Sequence, residues 1–342
     1  MTLSIIVPFL NEAEILPALL ERISNLAKRL SPLNVELVLV DDGSTDGSAQ
    51  IVRSATHPEL SIRLVRLSRN FGSHGAFAAG ISHSTGDVLT FLSADLQDPP
   101  ELILDLVAEW RAGAEIVWAT RQSRDDPWTT KIFSAVYYQM MRRFALRDMP
   151  LGGVDFCLVD RKVVAALDGL QERNSNIFNL IMWAGFRQTV IPYERVGRVA
   201  GTSKWSFSRK VKLFIDSFIA FSFAPIRLIS LIGVVLSGAG LLYAAFIFVR
   251  QLMFGIAVSG WSSLMCVVLI CSGVQLLMQA VMSEYLWRAL DASRNRPPYI
   301  VASAETILGD SFDGEWARRE APPEEGAAGN RRQAAGVAEP RL

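Results

Sequence analysis

Short apolar runs, separated by polar turns and amphipathic stretches, dominate the first part of the chain. Residues 3–7, 35–40, 62–67 and 88–92 have the length and composition of buried strands. Between the first two runs, apolar residues recur at helical spacing, at Leu16, Leu19, Leu20, Ile23 and Leu26. Further strands are predicted at 116–119 and 187–193. Strands that alternate with helices in this way predict an α/β fold with a mostly parallel, doubly wound sheet.

Carboxylates follow two of the predicted strands at the points where those strands end. Asp41 and Asp42 follow the second run, and Asp95 follows the fourth within Ser93-Ala94-Asp95-Leu96-Gln97. Ligands bind in open α/β sheets at the carboxyl ends of the strands, so these side chains are expected to line a site. Asp98, just before Pro99 and Pro100, is predicted to cap the following helix; the alternative is that it supplies a further carboxylate to the site of Asp95.

The first strand-to-helix turn bears on which ligand the site takes. It has the sequence Pro8-Phe9-Leu10-Asn11-Glu12, without the glycine fingerprint that seats a pyrophosphate on a helix N-terminus. A P-loop is also missing from the sequence. Both facts argue against a dinucleotide-binding oxidoreductase, the main alternative for this alternation of strands and helices.

Two long uncharged apolar runs, at 228–249 and 261–283, set the second part of the chain apart. As a helix, each run is long enough to cross an apolar layer about 30 Å thick. Two membrane spans are therefore predicted. The alternative is that both runs form buried helices in a soluble core. The loop between the runs contains a single basic residue, Arg250. Other basic residues flank the two runs. They are Lys204, Arg209, Lys210, Lys212 and Arg227 before the first run, and Arg288, Arg294 and Arg296 after the second. This asymmetry predicts cytoplasmic ends and a short loop on the far side.

Composition refines this picture. Half of the residues are apolar and the formal net charge is zero, which argues for a membrane partner and against a nucleic-acid partner. The three cysteines have neither metal-ligand spacing nor a disulfide pattern. Residues 207–223 mix lysines with aromatic side chains, as a helix in the membrane interface does.

Four regions follow from these patterns. Residues 1–200 are predicted to form the α/β domain, 201–227 an amphipathic segment at the membrane interface, and 228–288 a transmembrane hairpin. From 297 to 342 the chain is rich in Ala, Gly, Pro, Glu and Arg, which predicts a largely disordered tail.

Several motifs of the chain belong to one pattern. They are Pro8 with Asn11-Glu12, the turn at 40–44, Asn70-Phe71-Gly72, the stretch 94–101 and the segment 201–205. Together with two C-terminal apolar runs, they resemble the family 2 glycosyltransferases of the polyprenyl-phosphate type, which include dolichol-phosphate mannose synthase and bacterial undecaprenyl-phosphate glucosyltransferases. The resemblance implies a GT-A fold and inverting transfer of a sugar from a nucleotide sugar to a polyprenyl phosphate at a bacterial inner membrane.

The resemblance also implies roles for individual residues. Asp95 holds Mg²⁺ or Mn²⁺, Gln97 faces the same site, Asp155 orients the acceptor, and Ser203 and Lys204 meet the lipid phosphate. The residues implied for nucleotide-sugar binding are Pro8, Asn11, Glu12, Asp41, Asp42, Ala94, Arg121 and Lys131. Asp42 is equally well interpreted as a turn residue, and Asp155 as a buried structural acid. The acceptor is already an ionised phosphate, so no strong general base is required.

One position departs from the family pattern. The family has Asp-x-Asp where this chain has Ser93-Ala94-Asp95, so one expected carboxylate is missing. Because Mg²⁺ is often held by one or two carboxylates plus substrate phosphates and water, the site is expected to survive with weaker metal affinity. The change also permits a second function class, a catalytically inactive membrane scaffold.

Substrates and partners follow less directly from the sequence. A processive polysaccharide synthase has a Gln-x-x-Arg-Trp motif, of which 139–144 is only a near miss. The sequence does not separate the sugars; the bacterial resemblance favours UDP-glucose over GDP-mannose, the second candidate donor. The resemblance implies a homotetramer, and a lipid-linked sugar implies a flippase and a periplasmic glycosyltransferase downstream.

Overall fold

The alternating apolar runs form the strands and helices of an α/β domain. The computed structural model describes residues 1–121, 138–143, 146, 149–150, 156–167, 177–194, 224–254, 260–294 and 296–307. The strands are β1 (Thr2–Phe9), β2 (Asn34–Asp41), β3 (Ser61–Leu67), β4 (Val88–Phe91), β5 (Ile116–Arg121), β6 (Phe156–Asp160), β7 (Gln188–Tyr193) and β8 (Val301–Ile307). The domain helices are α1 (Leu16–Leu30), α2 (Ser48–Arg53), α3 (Ser73–Ser82), α4 (Ile103–Arg111), α5 (Arg161–Leu167) and α6 (Ile177–Trp183). The α/β prediction is confirmed.

These strands form one sheet with the order β7-β5-β6-β4-β1-β2-β3-β8. β1 pairs in parallel with β2 and β4, β2 pairs in parallel with β3, and β5 with β7. β6 lies antiparallel between β4 and β5, and β8 is antiparallel to β3. The sheet is therefore mixed, and the prediction of a mostly parallel sheet holds only for its centre.

The strand β8 corrects the prediction for the C-terminal tail. Residues 301–307, predicted to belong to a largely disordered segment, pair with β3 from Ile62 to Leu67. Arg53 donates two hydrogen bonds to the carboxylate of Glu305, and the amide of Ser68 donates to the carbonyl of Ile300 at 2.9 Å. This segment is only weakly apolar. Pairing with the edge of β3 gives its backbone the hydrogen-bond partners that it would not have in isolation. Residues beyond 307 lie outside the described residues.

Apolar side chains cover both faces of the central strands. Alternate residues of β1 face opposite sides, so Ile5 packs in the cluster with α1 and α4, and Ile6 in the cluster with α3 and α6. On the α3 side the rings of Phe77, Phe91 and Phe178 meet edge to face, with centroids 5.4–5.5 Å apart. Burial on both faces explains why these strands are continuous apolar runs.

Two long helices, α7 (Ala224–Phe254) and α8 (Trp261–Ser293), follow the domain and contain the two uncharged runs. They pack against each other where Gly233 meets Met278; a Cβ at Gly233 would lie 3.1 Å from the Met278 methyl carbon. Large apolar side chains along both helices are exposed, Leu242 by 75% and Leu276 by 67%.

Among the residues that the structure describes, no helix combines the length and the apolar character needed to cross a membrane.

Candidate active site

The polar turns predicted from the sequence meet at one edge of the sheet. The pairing directions place the carboxyl ends of β1 to β5 and of β7 there, together with the first residues of β6 and β8. Within this edge, the turns after β1, β2 and β3 are linked by side-chain hydrogen bonds, and the turn after β4 is linked in the same way to the end of β7. The candidate site is built from these turns.

The turn after β1 is fastened to the turn after β2. The amide of Asn11 donates to Ser44 Oγ at 3.0 Å, and Asn11 Oδ1 accepts from the amide of Thr45 at 2.8 Å. The amide of Glu12 donates to Ser48 Oγ at 3.0 Å. Asn11 has φ 53°, a left-handed conformation that asparagine tolerates better than most residues. Asn11 and Glu12 therefore lie in one preformed surface with residues 44–48.

Asp41 ends β2 inside the protein. Its Oδ1 accepts from the amide of Ser44 at 2.7 Å, and its Oδ2 accepts from Arg66 Nε at 2.9 Å. The side chain has no exposed surface. In this conformation Asp41 braces the turn. Contact between its carboxylate and a nucleotide stays a prediction, and it requires the surrounding residues to move because the side chain is fully buried.

Asp42 joins the turn after β2 to the turn after β3. Its two oxygens accept from the amides of Phe71 at 2.7 Å and Gly72 at 2.9 Å. Burial raises the pKa of the Asp42 carboxyl, although these two hydrogen bonds act to lower it. Its interpretation as a turn residue fits this geometry, because both oxygens are used inside the protein.

Gly43 allows the two turns to approach each other. It has φ 81°, and a Cβ there would lie 2.8 Å from the carbonyl carbon of Arg69 and 2.9 Å from the amide nitrogen of Asn70. Both the conformation and the close backbone contact therefore require glycine.

The turn after β4 presents Asp95 and Gln97. Both side chains are half-buried, and Asp95 Oδ1 accepts a long hydrogen bond, 3.3 Å, from the amide of Gln97. Leu96 between them has φ 54°, which costs a residue with a side chain roughly 1–2 kcal/mol. Such strain persists only where the surroundings impose it, and it is concentrated at functional sites.

Asp98, in the same turn, has a partner that the sequence prediction missed. Its Oδ1 accepts from the hydroxyl of Tyr193 at 2.6 Å. The short helical turn Pro100–Leu102 follows Pro99 without any side-chain cap hydrogen bond. The predicted helix-capping role of Asp98 is therefore wrong, because its carboxylate points across the sheet edge to β7.

The residues at this edge fit a divalent metal that is shared with a substrate. Among the described residues, no three His, Cys, Asp or Glu side chains come together to hold a metal ion. Asp95 alone matches the one or two carboxylates that Mg²⁺ takes when substrate phosphates and waters complete its coordination. The site suits a metal bound together with a diphosphate better than a metal held by protein alone.

The remaining predicted residues are only partly placed. Pro8 is half-buried near the end of β1 beside Val40, and Ala94 is 5% exposed and packs in the core. Arg121 is the last residue of β5 and lies opposite Tyr193, with its side chain outside the described part of the chain. Lys131, Asp155, Ser203 and Lys204 lie outside the described residues. Asp155 immediately precedes β6, whose first residue is at this edge.

The sequence prediction missed several residues that build the site. Ser44 and Ser48 hold the first turn, Arg66 holds Asp41, and Tyr193 holds Asp98. The two serines carried a signal, because Ser and Asp in a glycine-containing turn often bond to nearby backbone amides. For Arg66 and Tyr193 the sequence contains no such signal, because their partners are 25 and 95 positions away in the chain.

Comparisons with known proteins show which proteins this chain resembles. Residues 4–167 match the family described as Glycosyl transferase family 2. The uncharacterized glycosyltransferase YkcC of Bacillus subtilis (strain 168) is 36% identical over 305 residues, which span 89% of this chain and 94% of that protein. The bactoprenol glucosyl transferase of Shigella phage SfV is 33% identical over 302 residues, 88% of this chain and 98% of that protein.

A comparison with solved structures covers a smaller part of the chain. The mannosyltransferase PcManGT from Pyrobaculum calidifontis, solved in complex with GDP-Man and Mn²⁺, matches with a TM-score of 0.42 and 23% identity. The match spans 58% of this chain and 57% of that one.

Proposed function

Since the chain belongs to the family 2 glycosyltransferases, we propose that it transfers glucose from UDP-glucose to undecaprenyl phosphate at the inner membrane of a bacterium. The observation that carries this proposal is the near full-length similarity to a protein named bactoprenol glucosyl transferase. The sheet edge supports it, because the turn that carries Asp95 and Gln97 lies at the same edge as the linked turns after β1 and β2. The product is a lipid-linked sugar for modification of the cell envelope.

The reaction is a single displacement with inversion. A phosphate oxygen of the lipid attacks the anomeric carbon of the sugar from the side opposite the nucleotide. A new carbon–oxygen bond forms as the bond to the β-phosphate breaks, and its electron pair leaves with UDP. A divalent ion, which Asp95 would hold on the diphosphate, supplies positive charge that lowers the cost of this departure.

The protein contributes position and charge. The linked turns at 11–12 and 44–48 form a fixed surface for the nucleoside, and Gln97 faces the sugar and diphosphate. Arg121 and Lys131 neutralise the leaving diphosphate, and Asp155 orients the acceptor. Because two anions must be brought together, holding them in line for the displacement is the main task.

A donor panel tests this proposal. We expect the purified protein in detergent to transfer glucose from UDP-glucose to undecaprenyl phosphate, and to use GDP-mannose and UDP-galactose poorly. Preferred use of GDP-mannose would make the protein a polyprenyl-phosphate mannose synthase. Absence of turnover with every donor, in a protein that still binds UDP, would support the inactive scaffold.

Lys204 is proposed to receive the lipid phosphate where the domain meets the membrane. We expect Lys204→Ala to slow transfer by about ten- to a hundredfold, the loss typical of a charge-assisted contact. The matched variant Arg209→Ala, expected to face lipid headgroups, should cost far less. Both are assayed in detergent, where membrane attachment no longer contributes to the rate. Equal and full activity of the two variants would leave Lys204 as an anchor only.

The hairpin of α7 and α8 is proposed to attach the protein to the membrane by crossing it twice. Support comes from the uncharged runs within both helices and from their exposed large apolar side chains. Both ends are then cytoplasmic, in agreement with the distribution of basic residues. A homotetramer, a flippase and a periplasmic glycosyltransferase acting on the product stay predictions.

Cysteine labelling in intact cells tests the crossing. In a Cys266→Ser, Cys271→Ser background, Ser259→Cys in the loop is expected to react with a membrane-impermeant maleimide from outside. Ala302→Cys, an exposed position on β8, is the matched control and should react only after the membrane is permeabilised. A loop cysteine that is also protected in intact cells would show that the helices do not cross.

A further inference from the structure

Asp98 and Tyr193 form a buried pair that the proposed chemistry does not use. The Tyr193 hydroxyl donates to Asp98 Oδ1 at 2.6 Å, and the two residues are only 3% and 6% exposed. A hydrogen bond to a buried carboxylate is among the stronger contacts in proteins. This pair therefore fixes the relative positions of the two segments that carry it.

Those segments are far apart in the sheet. The strands β6 and β5 lie between β4, which leads into Asp98, and β7, which ends at Tyr193. The turn after β4 must therefore extend over the ends of β6 and β5 to reach Tyr193. Arg121 ends β5 directly beside Tyr193 in the strand register. The pair thus connects the turn of Asp95 to the strand end that carries Arg121.

Both ends of this connection are rigid. The Tyr193 ring is packed in the core and meets the Phe156 ring at 78° with centroids 6.4 Å apart, which fixes where its hydroxyl points. At the other end, Leu96 is 2% exposed and held in a left-handed conformation. A strained turn relaxes unless it is fastened on both sides, and Asp98 is the fastening on the far side of Asp95 and Gln97.

We propose that Asp98 and Tyr193 are a positioning pair for the donor diphosphate. The pair holds the 95–98 turn in the position from which Asp95 and Gln97 meet the diphosphate. Neither residue touches the substrate, so the pair acts through Asp95 and Gln97. This inference rests on the proposed function, because it assigns the pair to the nucleotide-sugar site.

Tyr193→Phe tests the pair with minimal change in packing. Loss of a hydrogen bond to a charged group is expected to weaken Mg²⁺-dependent binding of UDP by about tenfold and to raise KM for the donor by a similar factor. The binding constant comes from calorimetry and needs no turnover. Tyr299→Phe is the matched control, because it removes a hydroxyl that donates to Ser82 Oγ at 2.8 Å on the α3 side of the domain. It is expected to leave both constants unchanged.

Variants of Asp98 separate positioning from general stability. Asp98→Asn retains an oxygen that accepts from Tyr193, so it should keep most of the UDP affinity. Asp98→Ala should lose at least as much affinity as Tyr193→Phe. The double variant should lose no more than Asp98→Ala alone, because the hydrogen bond between the two residues can be lost only once. A purely structural role would lower the melting temperature without changing the affinity of the folded protein.

The outcomes are distinguishable. Wild-type affinity for UDP in folded Tyr193→Phe, or additive losses in the double variant, would overturn the positioning pair and leave the proposed function intact. A wild-type protein that binds no nucleoside diphosphate would remove the proposed function, and the role of the pair with it.

Discussion

Asp95→Ala is expected to reduce sugar transfer by at least about a hundredfold, equivalent to roughly 2.7 kcal/mol of transition-state stabilisation. Asp95 is the one carboxylate left in the metal motif, and it lies in a strained turn at the open edge of the sheet. Without it, the residues proposed to hold the ion offer no negatively charged ligand. Initial rates with UDP-glucose over a range of Mg²⁺ and Mn²⁺ concentrations measure the loss.

Two further variants make this result specific. Asp105→Ala makes the same substitution at an exposed position of α4 and should leave the rate unchanged. Ser93→Asp restores the second carboxylate of the family motif and should lower the metal concentration needed for half-maximal UDP binding. A loss of less than tenfold in Asp95→Ala would be too small for a metal ligand. If the metal titration curves of Ser93→Asp and of the natural protein coincide, residue 93 lies outside the metal site.

Gly43→Ala is expected to destabilise the protein by about 2–4 kcal/mol, because it adds left-handed strain and a backbone clash at one residue. The new methyl group would lie within 3 Å of the backbone of Arg69 and Asn70, neither of which is the flexible end of a side chain. Since Asp42 bonds the same β3 turn, the nucleotide side of the site should loosen with it. The melting temperature and the affinity for UDP should both decrease.

The chain offers a close control four residues away. Gly47 has φ −77°, and a Cβ there would meet nothing within 4 Å. Gly47→Ala is therefore expected to change the melting temperature very little. If both alanine variants have the melting temperature of the natural protein, the turns after β2 and β3 do not approach each other as closely as the structure shows.

The central strands were predictable because each is a local apolar run. β1, β2 and β4 are buried on both faces, so apolar residues dominate their sequences. β3 is also mostly apolar, although it includes the half-buried Arg63 and Arg66. The strand β8 carries no such signal. Its side chains alternate between half-buried and exposed, several of them are small, and its partner β3 precedes it by more than 230 positions. Its structure comes from pairing with the open edge of the sheet and from contacts such as the ion pair between Arg53 and Glu305.

The site divides in the same way. Asp41, Asp42 and Asp95 were predictable as strand-end carboxylates, because the rule that parallel strands end at one edge needs only the order of elements. Which of their oxygens are already engaged was not predictable. The bonds of Asp41 to Arg66 and of Asp98 to Tyr193 depend on side chains brought together by the completed sheet. Sequence patterns predict which turns meet, and tertiary packing decides which carboxylates in them stay accessible.

The return of the chain to the sheet at β8 makes the long helices an insertion within one folding unit. The domain begins at β1 and is completed only after α8, so its last hydrogen-bonded strand comes from beyond the helices. A fragment that stops before α7 leaves β3 with an open, apolar edge, the kind of edge along which chains aggregate. A version without α7 and α8 therefore has to carry residues 296–307 back to β3 through a linker that replaces the helices. In the intact protein, the chain that leaves α8 is therefore held at the sheet by the pairing of β8 with β3.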